Sequence, residues 1–326
     1  MASLADGIQT RARTRFVLLL LASLIAAAPA ALVPVPATSA ARTNAGHNGM
    51  LVFAGDLGQG SEIFVIDARG RGFTQLTDEA GEATSPDWSP NGARIAFQLD
   101  HDETADIAVM RADGGGLHVL DLPGYQAQPA FTADGTRLVF ECGDCDGRNG
   151  IFVMDLDGTQ PQRLTTNPFQ DEGDSDPNVS PDGSTVTFVR HLVDGKLQAL
   201  FAVDIDGTNL RKLVDYGREV AVKHDWAPDG AHIVITTAAD YPHHRSPNIA
   251  TIRADGTHLR FLTHFRGGRW GAFAGSYSPN GEWIVYRIEN LESERYVMMK
   301  MHPDGSHKTR IAAMPFRPRG TDWAVR

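Results

Sequence analysis

The chain has 326 residues, 42% of them hydrophobic, and its 30 Lys and Arg against 40 Asp and Glu give a formal net charge of −10. Such a surface repels the phosphates of nucleic acid, and the length supplies ample apolar material for one closed core. With only two cysteines, no disulfide framework can carry the fold.

In chain order, residues 1–40 read first, as a secretory signal peptide. Arg11, Arg13 and Arg15 precede an apolar run from Phe16 to Ala28, and small residues and prolines follow up to Thr38-Ser39-Ala40. The run is too short and wrongly flanked for a stable membrane anchor; cleavage is expected after Ala40, with Ala30 as the other site. No cysteine follows it to take a lipid, and its arginines are not adjacent, so the general secretory route is expected, with a periplasmic or extracellular destination. Residues 41–47 read as a short linker. Removing residues 1–40 takes away three Arg and one Asp, which brings the charge to −12.

From residue 48 onward one phrase recurs six times. Its first turn reads Asn48-Gly49, Pro90-Asn91-Gly92, Ala133-Asp134-Gly135, Pro181-Asp182-Gly183, Pro228-Asp229-Gly230 and Pro279-Asn280-Gly281, with glycines 43, 43, 48, 47 and 51 residues apart. A second turn ends at Gly70, Gly114, Gly158, Gly207, Gly256 and Gly305, at spacings of 44, 44, 49, 49 and 49. Asn-Gly and Asp-Gly suit two-residue hairpin turns, so each repeat holds two reversals between antiparallel strands. The intervening segments, such as Arg94-Ile95-Ala96-Phe97 and Ile151-Phe152-Val153-Met154, alternate and are β-branched or aromatic, as strands are. Four strands per period of 43–51 residues predict an all-β, six-bladed β-propeller over residues 48–326. Thr321-Asp322-Trp323-Ala324 matches Pro86-Asp87-Trp88-Ser89, the strand missing before Asn48. The C-terminal strand is therefore expected to close the first blade.

These residues resemble the WD40-like Pro-Asp repeats of the TolB type of propeller. The resemblance rests on Pro86-Asp87-Trp88-Ser89-Pro90-Asn91-Gly92 with Ile95-Ala96-Phe97, on Ile151-Phe152-Val153-Met154-Asp155-Leu156-Asp157-Gly158, and on Leu164-Thr165. It covers roughly residues 48–326 and leaves no room for the N-terminal α/β domain of that family. The family's propeller binds a peptidoglycan-associated lipoprotein, so the resemblance implies a binding platform without naming the ligand.

Cys142 and Cys145, three residues apart on a loop of an exported protein, are expected to form a local disulfide with a small stabilising effect. Acids gather at Asp100, Asp102, Glu103 and Asp106, at Asp144 and Asp146, and at Asp171, Glu172, Asp174 and Asp176; the last run could supply calcium with oxygens, and solvated turns explain all three equally well. No catalytic motif is present, and no cofactor is expected. His224, His243 and His244 are the weak metal candidates, because exported oligogalacturonate lyases built on similar repeats use histidines with a divalent metal. The segments that lead into the innermost strands ring the channel mouth of a propeller, and rigid blades with variable loops make that rim the usual binding face. Its candidates are Asp174, Asp176, Lys223, His224, Arg317 and Arg319, with Arg266, Arg269, Tyr125, Phe273 and Phe316 nearby in sequence. The expected function is a monomeric, non-enzymatic platform for a protein or cell-envelope partner; the alternative is a metal-dependent polysaccharide-processing enzyme using the same mouth.

Overall fold

The computed structural model describes residues 48–325 apart from 103, 121, 169–172, 193–196, 216–220 and 238–245. The leader, the linker, Glu103, Asp171, Glu172, His243 and His244 lie outside the described residues.

Each repeat folds as expected into a four-stranded antiparallel sheet. Blade two is β4 (Glu82–Trp88), β5 (Arg94–His101), β6 (Thr104–Arg111) and β7 (His118–Leu120). Blade three is β8 (Tyr125–Phe131), β9 (Arg137–Gly143), β10 (Gly150–Asp155) and β11 (Gln162–Arg163); blade four is β12 (Asp174–Val179), β13 (Thr185–Leu192), β14 (Leu197–Asp204) and β15 (Arg211–Lys212). Blade five is β16 (Ala221–Trp226), β17 (His232–Thr237), β18 (Asn248–Arg253) and β19 (Arg260–Phe261); blade six is β20 (Trp270–Tyr277), β21 (Ile284–Asn290), β22 (Arg295–Met301) and β23 (Thr309–Met314). Blade one joins the two ends of the propeller, in the order β24 (Arg319–Val325), β1 (Asn48–Asp56), β2 (Ser61–Asp67), β3 (Thr74–Gln75). Leu51 lies opposite Trp323 and Val52 opposite Asp322, so the last strand closes the first blade. Closure hides strand edges that would otherwise recruit other chains.

The core lies between blades rather than inside one. Val52, Ile63 and Val65 of blade one pack on Trp88, Ile95 and Phe97 of blade two, and Leu51, Phe53 and Phe64 pack on Val285 and Met298 of blade six. The remaining neighbours repeat the pattern.

The turns depart from the two-residue geometry expected of Asn-Gly and Asp-Gly. At the first turn of blade two, the Gly92 amide donates to Ser89 O and the Ser89 amide to Arg94 O, which encloses four residues. Gly92 alone takes a left-handed φ, 66°, while Asn91 Oδ1 accepts from the Ala93 amide. The second turn encloses three residues: the Asp155 amide donates to Thr159 O, and Asp157 Oδ1 accepts from the Thr159 amide and hydroxyl. The Asp or Asn thus caps the turn through its side chain and leaves the positive φ to Gly, the arrangement of a type I turn extended by a left-handed residue.

Candidate functional site

All six innermost strands break their ladder at one equivalent place. Pairing with the second strand slips between Thr84 and Asp87, Ala127 and Ala130, Ser175 and Asn178, Ala221 and His224, Ala274 and Tyr277, and Arg319 and Asp322. In five of them one residue inside the break is left-handed: Ser85 (49°), Gln128 (51°), Asp176 (51°), Lys223 (75°) and Gly320 (56°). A non-glycine residue held there costs on the order of 1–3 kcal/mol and persists only where its surroundings enforce it. Pro86, Pro129 and Pro177 follow three of these residues, and a bulge is where an inner strand tolerates a residue without an N–H.

All five left-handed residues line one cavity of about 290 Å³ at the channel mouth, together with Phe273, Arg287, Arg317 and Arg319. Asp87, Ala130 and Asn178 form its floor and are shared with a smaller cavity of about 150 Å³ beyond them, on the side of the Pro-Asp-Gly turns.

Beneath the bulges lies a ring of acids that tie blade to blade. Asp322 Oδ2 accepts from the Trp88 amide, Asp87 Oδ2 from the Phe131 amide and Asp225 Oδ2 from the Tyr277 amide, each at 2.8 Å. Lys223 supplies the ammonium whose charge these acids share. Burial works against its charge, yet Asp322, Asp176, Asp87 and Asp225 outweigh burial and raise its pKa. One ammonium does not satisfy them all: burial and Asp322 hold the Asp87 carboxyl well above its usual range and push Asp225 up to about 7. Asp176 goes the other way, since its contacts with His224 and Lys223 overcome the burial that would raise it.

On the opposite side of the mouth, blades six and one supply a cationic cluster. Arg317 grips Glu289 with two bonds, Nε to Oε2 at 2.8 Å and Nη2 to Oε1 at 2.7 Å, and Arg287 Nε lies 3.0 Å from the same carboxylate. Arg287 also donates to Pro318 O at 2.5 Å. Its guanidinium carbon sits 4.4 Å from the Phe273 ring centre and that of Arg317 5.7 Å away. Burial, helped by Arg317 and Arg319 and opposed by Glu289, brings the Arg287 pKa down to about 10, so it stays charged near neutrality. Exposed Arg319 makes no side-chain hydrogen bond or ion pair among the described residues.

Of the six rim candidates, the structure brings Asp176, Lys223, Arg317 and Arg319 together at the mouth and turns two inward. Asp174 is fully buried, clasped by Arg190 through Nε and Nη2 at 2.7 Å each and by the Thr165 hydroxyl at 2.6 Å. His224 is 1% exposed, with Nε2 2.8 Å from Thr187 Oγ1 and Nδ1 3.5 Å from Asp176. His224 lies one position from mouth-lining Lys223 and so faces the body of the blade, while Asp174 lies ahead of the bulge whose residues line the mouth. Phe316 is buried against Phe64 instead of standing at the rim. Most of the surface acids have local partners, Asp106 with His101, Asp146 with Arg163 and Asp100 with Gln98. Among the described residues no three His, Cys, Asp or Glu side chains converge on a metal-binding position. Cys142 and Cys145 are joined in a disulfide, their Cα atoms 5.8 Å apart.

Sequence reasoning missed Arg287, Glu289 and the Asp87, Asp225 and Asp322 ring. Signals were present: Asp-Trp recurs at all three ring positions, and Arg287 and Glu289 are opposite charges two apart on an otherwise apolar strand, hence on one face.

Glu141, on β9, makes no side-chain hydrogen bond among the described residues. Burial first, then Asp176 and Asp174, push its pKa up from 4.5 to about 8. The folded chain therefore binds more protons than the unfolded chain between those values, and stability from this group is lost as pH rises through that window. Glu141→Gln is expected to stabilise the protein more at pH 8 than at pH 5, by on the order of 2 kcal/mol, in urea unfolding at the two pH values. An equal effect at both would contradict the raised pKa.

Comparison with known proteins agrees with this architecture. An uncharacterized protein of Agrobacterium fabrum is 26% identical over 212 residues, 61% of this chain and 67% of that one. A TolB homolog of Chlorobium luteolum is 28% identical over 143 residues, 43% of this chain and only 31% of the relative, so the match spans about a third of that protein's length. The crystal structure of TolB from Acinetobacter baumannii superposes with a TM-score of 0.68 at 19% identity, covering 84% of this chain and 66% of that one. The family described as the TolB beta propeller domain matches residues 117–326, well over half of the sequence, and the chain belongs to that family.

Proposed function

We propose that the protein is an exported, non-enzymatic propeller that works as a monomer and binds a protein or cell-envelope partner at the channel mouth. The observation that carries this reading is the ring of left-handed bulge residues around the 290 Å³ cavity. Backbone strain repeated around one opening and facing a concave, partly apolar surface is the arrangement of a preformed binding site. Export rests on the leader-like residues 1–40, and membership of the TolB propeller family favours binding over catalysis. The lyase alternative loses its trio at the mouth, because His224 is committed to Thr187 inside blade four's interface with blade five.

A pull-down from cell-envelope extract tests the reading. The wild-type protein should recover a partner that the double variant Arg317→Ala, Arg319→Ala recovers at least tenfold less well. Equal recovery would remove this mouth from consideration.

A further inference from the structure

The charge of the mouth is divided across the channel. Arg287 belongs to blade six and Arg317 and Arg319 precede or begin blade one's closing strand, while Asp176 faces them from blade four, with Glu141 of blade three near it. Of the three guanidiniums, those of Arg287 and Arg317 share one carboxylate, Glu289, and that of Arg319 has none in contact among the described residues. The next acid that Arg319 feels, Asp56, already accepts from the Gly58 amide at 2.5 Å and the Gly60 amide at 3.2 Å. This local surplus of positive charge runs against the chain's net charge of −10, and among the described residues Glu289 is the one carboxylate that pairs with it.

Resting on the mouth as the binding site, we infer that its ligand is the free C-terminal carboxylate of an extended polypeptide, held between Arg287, Arg317 and Arg319. Guanidiniums suit this group because their forked donors match the two oxygens of a carboxylate. Phe273 and the buried Glu289 hold two of the three side chains in place beforehand, which reduces the ordering that binding demands. The wall of Pro86, Pro129, Pro177 and Ala274 offers apolar surface to the last side chain of the peptide.

Depth selects a chain end over an acidic side chain within a chain. The cavity stops at Asp87, Ala130 and Asn178, and the space beyond is lined by Asp225 and Asp322 as well. One ammonium, Lys223, does not offset Asp322, Asp176, Asp87 and Asp225, so an anion is favoured level with the arginines rather than in the throat. A terminus can stop there, whereas an internal segment must double back within about 290 Å³.

The test uses the exported protein and three acetylated peptides: Ala-Ala-Leu with a free carboxylate, the same peptide as its C-terminal amide, and Ala-Asp-Leu as its amide. Affinity is read by calorimetry and occupancy of the mouth by NMR shifts of the Gln128, Ala274 and Gly320 amides. The free acid is expected to bind at least tenfold more tightly than either amide and to move those three signals. Arg319→Gln, at an exposed position without side-chain partners, should reduce that preference about tenfold with no change in thermal midpoint. If acid and amide bind alike and both move the signals, carboxylate recognition fails while the mouth stands as a peptide site. If the Ala-Asp-Leu amide matches the free acid, the claim of a chain end falls. Absence of any shift up to millimolar peptide overturns the inference, and retained partner capture by the double arginine variant would then overturn the mouth reading separately.

Discussion

Trp323→Ala is expected to destabilise the protein by about 3–5 kcal/mol, the range for deleting a buried large aromatic side chain. Trp323 is 5% exposed and belongs to the apolar cluster that joins blade six to blade one. It stands opposite Leu51 on β1, and the residue before it, Asp322, accepts the Trp88 amide of blade two. Loss of the indole therefore weakens one packing layer and loosens the strand on which the ring is closed. Denaturant unfolding followed by far-ultraviolet circular dichroism measures the effect. Leu57→Ala, on a side chain 57% exposed, serves as the comparison and should change stability by no more than about 0.5 kcal/mol. If Trp323→Ala costs no more than Leu57→Ala, the closing strand contributes little to the fold. Removing residues 319–326 should go further and abolish the single cooperative transition, because β1 then presents an unpaired edge and the blade six cluster an open face.

The architecture was legible because its signals are local and repeated. A glycine at Gly92 or Gly158 marks a reversal whether the loop encloses two, three or four residues, so the strand count survived an incorrect turn type. Closure was legible for the same reason, since Asp322-Trp323 repeats Asp87-Trp88. The mouth was legible only in part. Asp176, Lys223, Arg317 and Arg319 lie in segments that lead into inner strands, and position in the repeat places such segments at the rim. Which neighbour faces the axis depends on a bulge that shifts the side-chain alternation, and no residue type announces that bulge: Ser85, Gln128, Asp176 and Lys223 all adopt it. His224 was misplaced by that one-residue ambiguity, and Asp174 because the mouth is lined only from the bulge onward. Arg287 and Glu289 arrive from a second strand, and only the folding of blade six against blade one sets them beside Arg317.

Asp174 supplies the other large effect. Among the described residues, Arg190→Met leaves a fully buried carboxylate with the Thr165 hydroxyl at 2.6 Å and a long contact to Asn167, and breaking a buried pair in this way costs about 3–5 kcal/mol. Arg190 also donates to Thr166 O at 3.3 Å and lies over the Phe201 ring at 4.9 Å, so its loss frees part of the connection between blades three and four. The penalty belongs chiefly to the stranded charge. Asp174→Asn combined with Arg190→Met should therefore be less destabilised than Arg190→Met alone, with a coupling of about 1–3 kcal/mol in a double-mutant cycle. Urea unfolding of the four proteins at pH 7 reads the cycle. Additive effects would mean that the two side chains act independently, and the place of Asp174 as a structural acid, rather than a ligand of the mouth, would be lost.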